Sequence, residues 1–196
     1  MKTIVLASSN AHKIIELEEM IQGVKLLSLK DINFFEDIDE TGTTTNENAE
    51  IKVRAVLEFE KKQGLAFPVL ADDSGLFVNA LGGEPGVHTA RYAVDHSDEA
   101  NRKKLLFNLN GKEDRTAYFE CTLCYADFNE IHFFTGRTFG KISEVERGSS
   151  GFAYDCLFIS DDLNKTFAEA TADEKNSVSH RFRAVQKLKE YLKNHD

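Results

Sequence analysis

The segment from Val69 to Leu76 reads VLADDSGL, an apolar run that stops at two adjacent carboxylates, Asp72 and Asp73, followed by Ser74 and Gly75. A short apolar run of this length reads as a buried strand, and charge at a strand end is how α/β enzymes commonly present catalytic groups. A rigid strand end lets a carboxylate hold a divalent metal or take a proton from water with little reorganisation. Asp, Ser and Gly also serve in ordinary polar turns, so the segment alone leaves both readings open.

The rest of the chain alternates strand-like and helix-like patterns. Thr3 to Ala7 is a β-branched and apolar run, and Ser8, Ser9 and Asn10 offer capping side chains before Ile14, Leu17 and Ile21 mark one helical face that Gly23 closes. A second strand is expected over Lys25 to Leu29. A polar loop from Asp37 to Thr45 then leads into a long helix with Ala49, Val53 and Val56 on one stripe, stopping at Gly64. Pro68 to Ala71 is the next strand, the acidic residues form a turn, and Leu76 to Val78 is extended. LGGEPG, residues 81–86, reads as a loop.

Asp98 to Phe107 is helical. Thr116 to Asp127 and Ile131 to Arg137 form a hairpin around a tip at Phe128 to Glu130. The loop RGSSGFAYD precedes a strand at Cys156 to Ser160. A helix opened by the capping box Thr171 and Glu174 follows, and a final helix carries Val185, Leu188 and Leu192 on one stripe. The expected fold is a single α/β domain over the whole chain, with a mixed central sheet flanked by helices, a hairpin-bearing lobe and a substrate cleft between lobes.

With 196 residues, 41% of them hydrophobic, the chain can bury a sizeable core. No apolar run approaches membrane-span length and the start lacks a cleavable hydrophobic region, so a soluble cytoplasmic protein with no membrane partner is expected. The net charge of −9 argues against a general nucleic-acid binder, which needs a basic surface, but leaves room for a nucleotide ligand. Cys121 and Cys124 are spaced as CxxC, yet YFECTLCYA reads as a strand. Residues three apart on a strand face opposite ways, so these are expected to be buried structural thiols rather than zinc ligands or a disulfide.

Three segments besides Asp72 and Asp73 carry chemistry. SSNAHK places Ser8, Ser9 and Asn10 at a strand-to-helix junction with Lys13 one turn in, which suits a triphosphate as well as an ordinary N-cap. In DETGTTTNENAEIK, Glu47 fits the helix start, whereas Asp39 and Glu40 lie before it, where a magnesium site and a solvated loop both fit. In AEATADEKNSVSHRFRA, Lys175, His180 and Arg181 gather around Ser177 and Ser179. If Ser179 caps a new helix, His180 and Arg181 lie in its first turn, where cations oppose the dipole and need another reason to be there.

Together with LGGEPGVHTARY, FTGRTFGKI and GSSGFAYD, these segments give the chain an almost end-to-end resemblance to the inosine triphosphate pyrophosphatase family, also called the XTP/dITP diphosphatases. The resemblance implies an enzyme that splits deaminated purine nucleoside triphosphates (ITP, dITP, XTP) into the monophosphate and pyrophosphate, with magnesium and as a homodimer. It implies that Ser8, Ser9, Asn10 and Lys13 bind the triphosphate and that Ser74 contacts the substrate. Asp73 would bind metal and act as general base, with Asp39 or Glu40 completing the metal site. Phe152, Ala153, Tyr154 and Asp155, with Lys175, His180 and Arg181, would hold the nucleoside, an aromatic from Phe152 or Tyr154 stacking on the purine.

The chain departs from the family pattern at Ala153 and Cys156, where the family has Phe-Gly-Tyr or Trp-Asp-Pro. Ala153 puts a methyl where glycine permits close approach or an unusual backbone angle. Two other functions share some of these residues: a pyrophosphatase acting on pyrimidine or modified nucleotides, and a nucleotide sensor that does not hydrolyse its ligand.

Overall fold

The computed structural model describes residues 2–127 and 129–195. Strand β1 (Lys2–Leu6) is followed by helix α1 (Ala11–Met20), and β2 (Val24–Ser28) lies parallel beside β1 with Ile4 opposite Leu26. Helix α2 (Thr45–Gln63) starts at a Thr44 cap and ends where Gly64 turns left-handed, φ 70°. β3 (Val69–Val78) and the short β4 (Pro85–Gly86) come next, then α3 (Asp98–Asn108), capped by Ser97. β5 (Thr116–Ala126), β6 (Ile131–Ile142) and β7 (Phe158–Ser160) precede α4 (Ala172–Val178) and α5 (His180–Asn194).

The sheet is seven-stranded and mixed, in the order β2-β1-β3-β5-β6-β7 with β4 paired to β3. β1 pairs parallel with β2 and with β3, while β4 on β3 and β7 on β6 are antiparallel. The mixed α/β architecture expected from the sequence is borne out. Among the described residues no helix is long and apolar enough to cross a membrane. The hairpin tip was expected at Phe128 to Glu130. Phe128 lies outside the described residues, and beside it the Asp127 side chain accepts from the Asn129 and Glu130 amides at 2.8 and 3.0 Å.

The chain forms two compact units. One comprises the chain up to Asp73, Cys121–Gly136 and the chain from Arg183; the other comprises Ser74–Glu120 and Arg137–Phe182. In the first, the α2 stripe Ala49, Val53 and Val56 is buried with Val5, Ala7, Val69, Ala71 and Cys124. Tyr125, the next residue on β5, turns the other way and meets Tyr191 of α5, so helices cover both faces there. The second unit has its own core, in which Leu76, Leu105, Leu109, Phe119, Tyr154, Phe158 and Phe167 pack together.

Two expectations need correction. Asp72 to Gly75 is not a turn between two strands, because β3 runs through it without a break. Gly75 permits this: a side chain there would strike the backbone of Gly86 on β4. LGGEPG is not wholly loop either, since Pro85 and Gly86 pair with Phe77 and Leu76 of β3 and close a hairpin.

Candidate active site

In the first unit, consecutive residues of β3 point to opposite faces, and the two acids accordingly meet different lysines. The Asp72 carboxylate is completely buried. Its Oδ1 lies 2.6 Å from Nζ of Lys13, and its Oδ2 accepts from the Cys121 thiol at 3.1 Å. Lys13 is delivered by the start of α1, which Asn10 caps by accepting from the amides of His12 and Lys13. Ser8 Oγ accepts from the Asn10 amide at 3.3 Å, and Ser9 is exposed.

Asp73 faces α2. There Lys52 Nζ donates to Asp73 Oδ1 at 3.0 Å, to the Asp72 carbonyl at 2.8 Å and to Glu40 Oε2 at 3.3 Å. The ammonium is buried, which by itself would discharge it, but Asp73 and Glu40 outweigh that cost and hold its pKa above the ordinary lysine value. Burial pushes the Asp73 carboxyl up to about 6, against the pull of Lys52 and Lys13. Glu40 is only half-buried; its burial penalty is overcome by Lys52 and by a hydrogen bond with Asp73, and its pKa is lowered. One acid therefore titrates near neutrality beside one that stays ionised, as general acid-base chemistry requires.

The loop carrying Glu40 is pinned to the start of α2. Asn48 Oδ1 accepts from the Gly42 amide at 2.8 Å, and Glu47 Oε2 accepts from the Thr43 amide and hydroxyl at 2.6 and 2.9 Å. Glu47 thus serves the helix start, as its position suggested. Of the two loop acids, Glu40 is the one brought to Asp73, while Asp39 is exposed.

The residues present fit a hard divalent metal ion. Asp73 Oδ2 is buried with no hydrogen-bond partner among the described residues, and Glu40 adds a second hard oxygen donor beside it. Among the described residues no group of three or more His, Cys, Asp or Glu is placed to hold a metal ion by itself. That is the usual situation for magnesium, which binds one or two carboxylates and takes its remaining ligands from phosphate and water.

In the second unit, Asp155 organises the segment expected to hold a nucleoside. Its Oδ2 accepts from Lys175 Nζ at 2.8 Å and from the Phe152 amide at 2.9 Å, and a side chain at Gly151 would strike it. Lys175, nearly buried, lies 4.8 Å above the Phe152 ring. Tyr154 is only 1% exposed, with its hydroxyl donating to the Thr89 carbonyl at 2.8 Å. Of the two aromatics expected to stack on a base, Tyr154 is buried and anchors the loop, while Phe152 is half-buried with Lys175 over its ring. Ala153 adopts φ 52°, so this departure from glycine falls where the backbone is left-handed.

Ser179 does cap the last helix, accepting from the Phe182 amide at 3.1 Å. His180 stacks on Phe119 at 4.9 Å, and Arg181, 1% exposed, directs Nη2 to Ser74 Oγ at 3.4 Å. The cations against the dipole thus have specific partners.

The model of the Ham1 family matches residues 4–191 of the chain. The chain belongs to the Ham1 family. The protein named dITP/XTP pyrophosphatase of Bacillus subtilis is 44% identical over 198 residues, and that of Clostridium perfringens 43% over 200, each match covering 98% of both chains. The solved structure of the Staphylococcus aureus Ham1 protein superposes with a TM-score of 0.89 at 37% identity and covers both chains fully.

For this Ham1 chain the resemblance read from the sequence is borne out. The sequence reading missed Lys52, which ties Glu40 to Asp73, and Cys121 as a partner of Asp72. The signal for Lys52 was present: three residues after Ala49 and four before Val56, it falls within the apolar stripe of its helix. Cys121 and Cys124 are both buried, outside any disulfide and turned to opposite faces, as the strand pattern required.

Proposed function

We propose that this Ham1 protein hydrolyses the deaminated purine nucleoside triphosphates dITP, ITP and XTP between the α and β phosphates, releasing the monophosphate and pyrophosphate. The supporting observation is the Asp73 carboxylate, poised near neutrality between Lys52 and Glu40, in a chain so similar to proteins named dITP/XTP pyrophosphatase. Asp73 accepts a proton from the water that attacks the α-phosphorus. Lys13, with Ser8, Ser9 and Asn10, receives the triphosphate. Lys52 keeps Asp73 and Glu40 together against their mutual repulsion.

Glu40 and Asp73 would hold magnesium, which supplies charge neutralisation to the leaving pyrophosphate. Phe152 stacks on the purine, and Arg181, Lys175 and His180 present donors to its 6-keto edge while Ser74 contacts the substrate. The chain works as one nucleoside-triphosphate pyrophosphatase domain over residues 1–196. The protein acts on the cytoplasmic nucleotide pool as a homodimer, without nucleic-acid or membrane partners.

The test is a panel of purine and pyrimidine triphosphates with magnesium, products identified chromatographically, in ¹⁸O-labelled water. dITP, ITP and XTP should be preferred, with pyrophosphate released and label in the monophosphate. Orthophosphate and a diphosphate as products would remove the proposed chemistry, and binding without turnover would make the protein a sensor.

A further inference from the structure

Ala153 sits between the two residues that engage Lys175, and its left-handed backbone is one that alanine adopts only when its surroundings enforce it. Both of its peptide groups are held by α3. Its amide donates to Asp98 Oδ2 at 3.2 Å, and its carbonyl accepts from Arg102 Nη1 at 3.1 Å. Asp98 and Arg102 are four apart on the helix and so share a face. Arg102 is itself fixed by Glu146, whose Oε1 accepts from Nε at 2.7 Å. Asp98 is not needed to cap α3, because Ser97 already accepts from the Ala100 amide.

We infer that Asp98 and Arg102 are positioning residues for nucleoside recognition: they clamp Ala153 left-handed and so fix the Phe152 ring and the Asp155 carboxylate against Lys175. The inference rests on the assignment of Phe152, Asp155 and Lys175 to the nucleoside end. The clamp offsets the strain of a left-handed alanine, so this chain holds by side-chain contacts a geometry that a glycine would adopt unaided. Neither residue touches the reacting atoms, and their loss is read in KM rather than kcat.

The test combines amide exchange with kinetics on dITP. Asp98→Ala should speed hydrogen exchange at the Ala153 amide about tenfold and raise KM about five- to tenfold, the loss of one ordinary hydrogen bond, with kcat within about twofold. Asp98→Asn keeps an acceptor and should restore both, and Arg102→Gln should act in the same direction as Asp98→Ala. Unchanged Ala153 exchange in Asp98→Ala overturns the clamp. Faster exchange with unchanged KM overturns its role in recognition, as does an equal fall of kcat with no change in KM. A substrate panel on the unaltered protein without preference for deaminated purines would sink the functional assignment instead, and the exchange result would still judge the clamp.

Discussion

The Lys13 ammonium lies 2.6 Å from Asp72 Oδ1, and the two partners differ in access to water: the lysine side chain is 15% exposed and the carboxylate 0%. That difference predicts an asymmetry. Lys13→Ala strands a buried charge and should cost roughly 3 to 5 kcal/mol. Asp72→Asn frees an ammonium that can swing out to solvent, and should cost clearly less. Urea unfolding of the metal-free proteins measures both, and equal losses would contradict a buried ion pair.

Asp73→Asn should nearly abolish turnover, since general-base catalysis alone is worth about 10² to 10⁴ in rate. A folded variant retaining more than about a tenth of wild-type kcat would remove Asp73 from that role. The same variant should show the cost of the site. Burial raises the Asp73 pKa from 3.8 to about 6, so the native state binds the proton more tightly than the unfolded chain. Its contribution to stability is full below about pH 4, declines as the pH rises through 6, and is absent above. In metal-free protein Asp73→Asn should therefore gain stability relative to wild type as the pH rises from 4 to 6, on the order of 3 kcal/mol across that interval, on top of a pH-independent cost of leaving Lys52 with Glu40 alone. A gain independent of pH would show that ionisation is not its source.

Arg181→Ala should narrow the ratio of kcat/KM between ITP and ATP. In the proposed role the guanidinium would give the 6-keto oxygen a donor and leave adenine's amino group facing an unmatched one, a difference of about 1 to 3 kcal/mol. Equal losses on both substrates would leave Arg181 a structural role beside Ser74.

Gly148→Ala should be among the most destabilising small changes in the second unit. Gly148 has φ 82°, and a methyl there would overlap the backbone of Ala168, which cannot yield as a flexible side chain can. Strain and overlap together should cost about 3 kcal/mol or more. Thermal unfolding of the variant measures it, and a loss below about 1 kcal/mol would mean the backbone yields.

The sheet and helices were legible because each obeys a local rule: the Ala49, Val53 and Val56 stripe, the Thr171 and Glu174 capping box, and Gly64 at a helix end all appear where sequence placed them. β3 was read as interrupted because Asp, Asp, Ser and Gly are turn residues by propensity. Tertiary pairing overrode it, with β4 supplying a partner that LGGEPG concealed. The acids of the site were visible as motifs, but their division of labour was not. Lys52 comes to Asp73 from a helix 21 positions away, and Cys121 reaches Asp72 from 49 away, separations that no local pattern reports.

The adjacency of Asp72 and Asp73 on an unbroken strand also limits how this enzyme can change over evolutionary time. Gaining or losing one residue within β3 would turn every later side chain to the other face. Such a slip would turn the Asp73 carboxylate to the Lys13 face and the Asp72 carboxylate to the Lys52 face, exchanging two environments outright with no gradual path between them. Length variation is therefore confined to the connections, such as the one between β6 and β7 that carries Phe152 and Asp155.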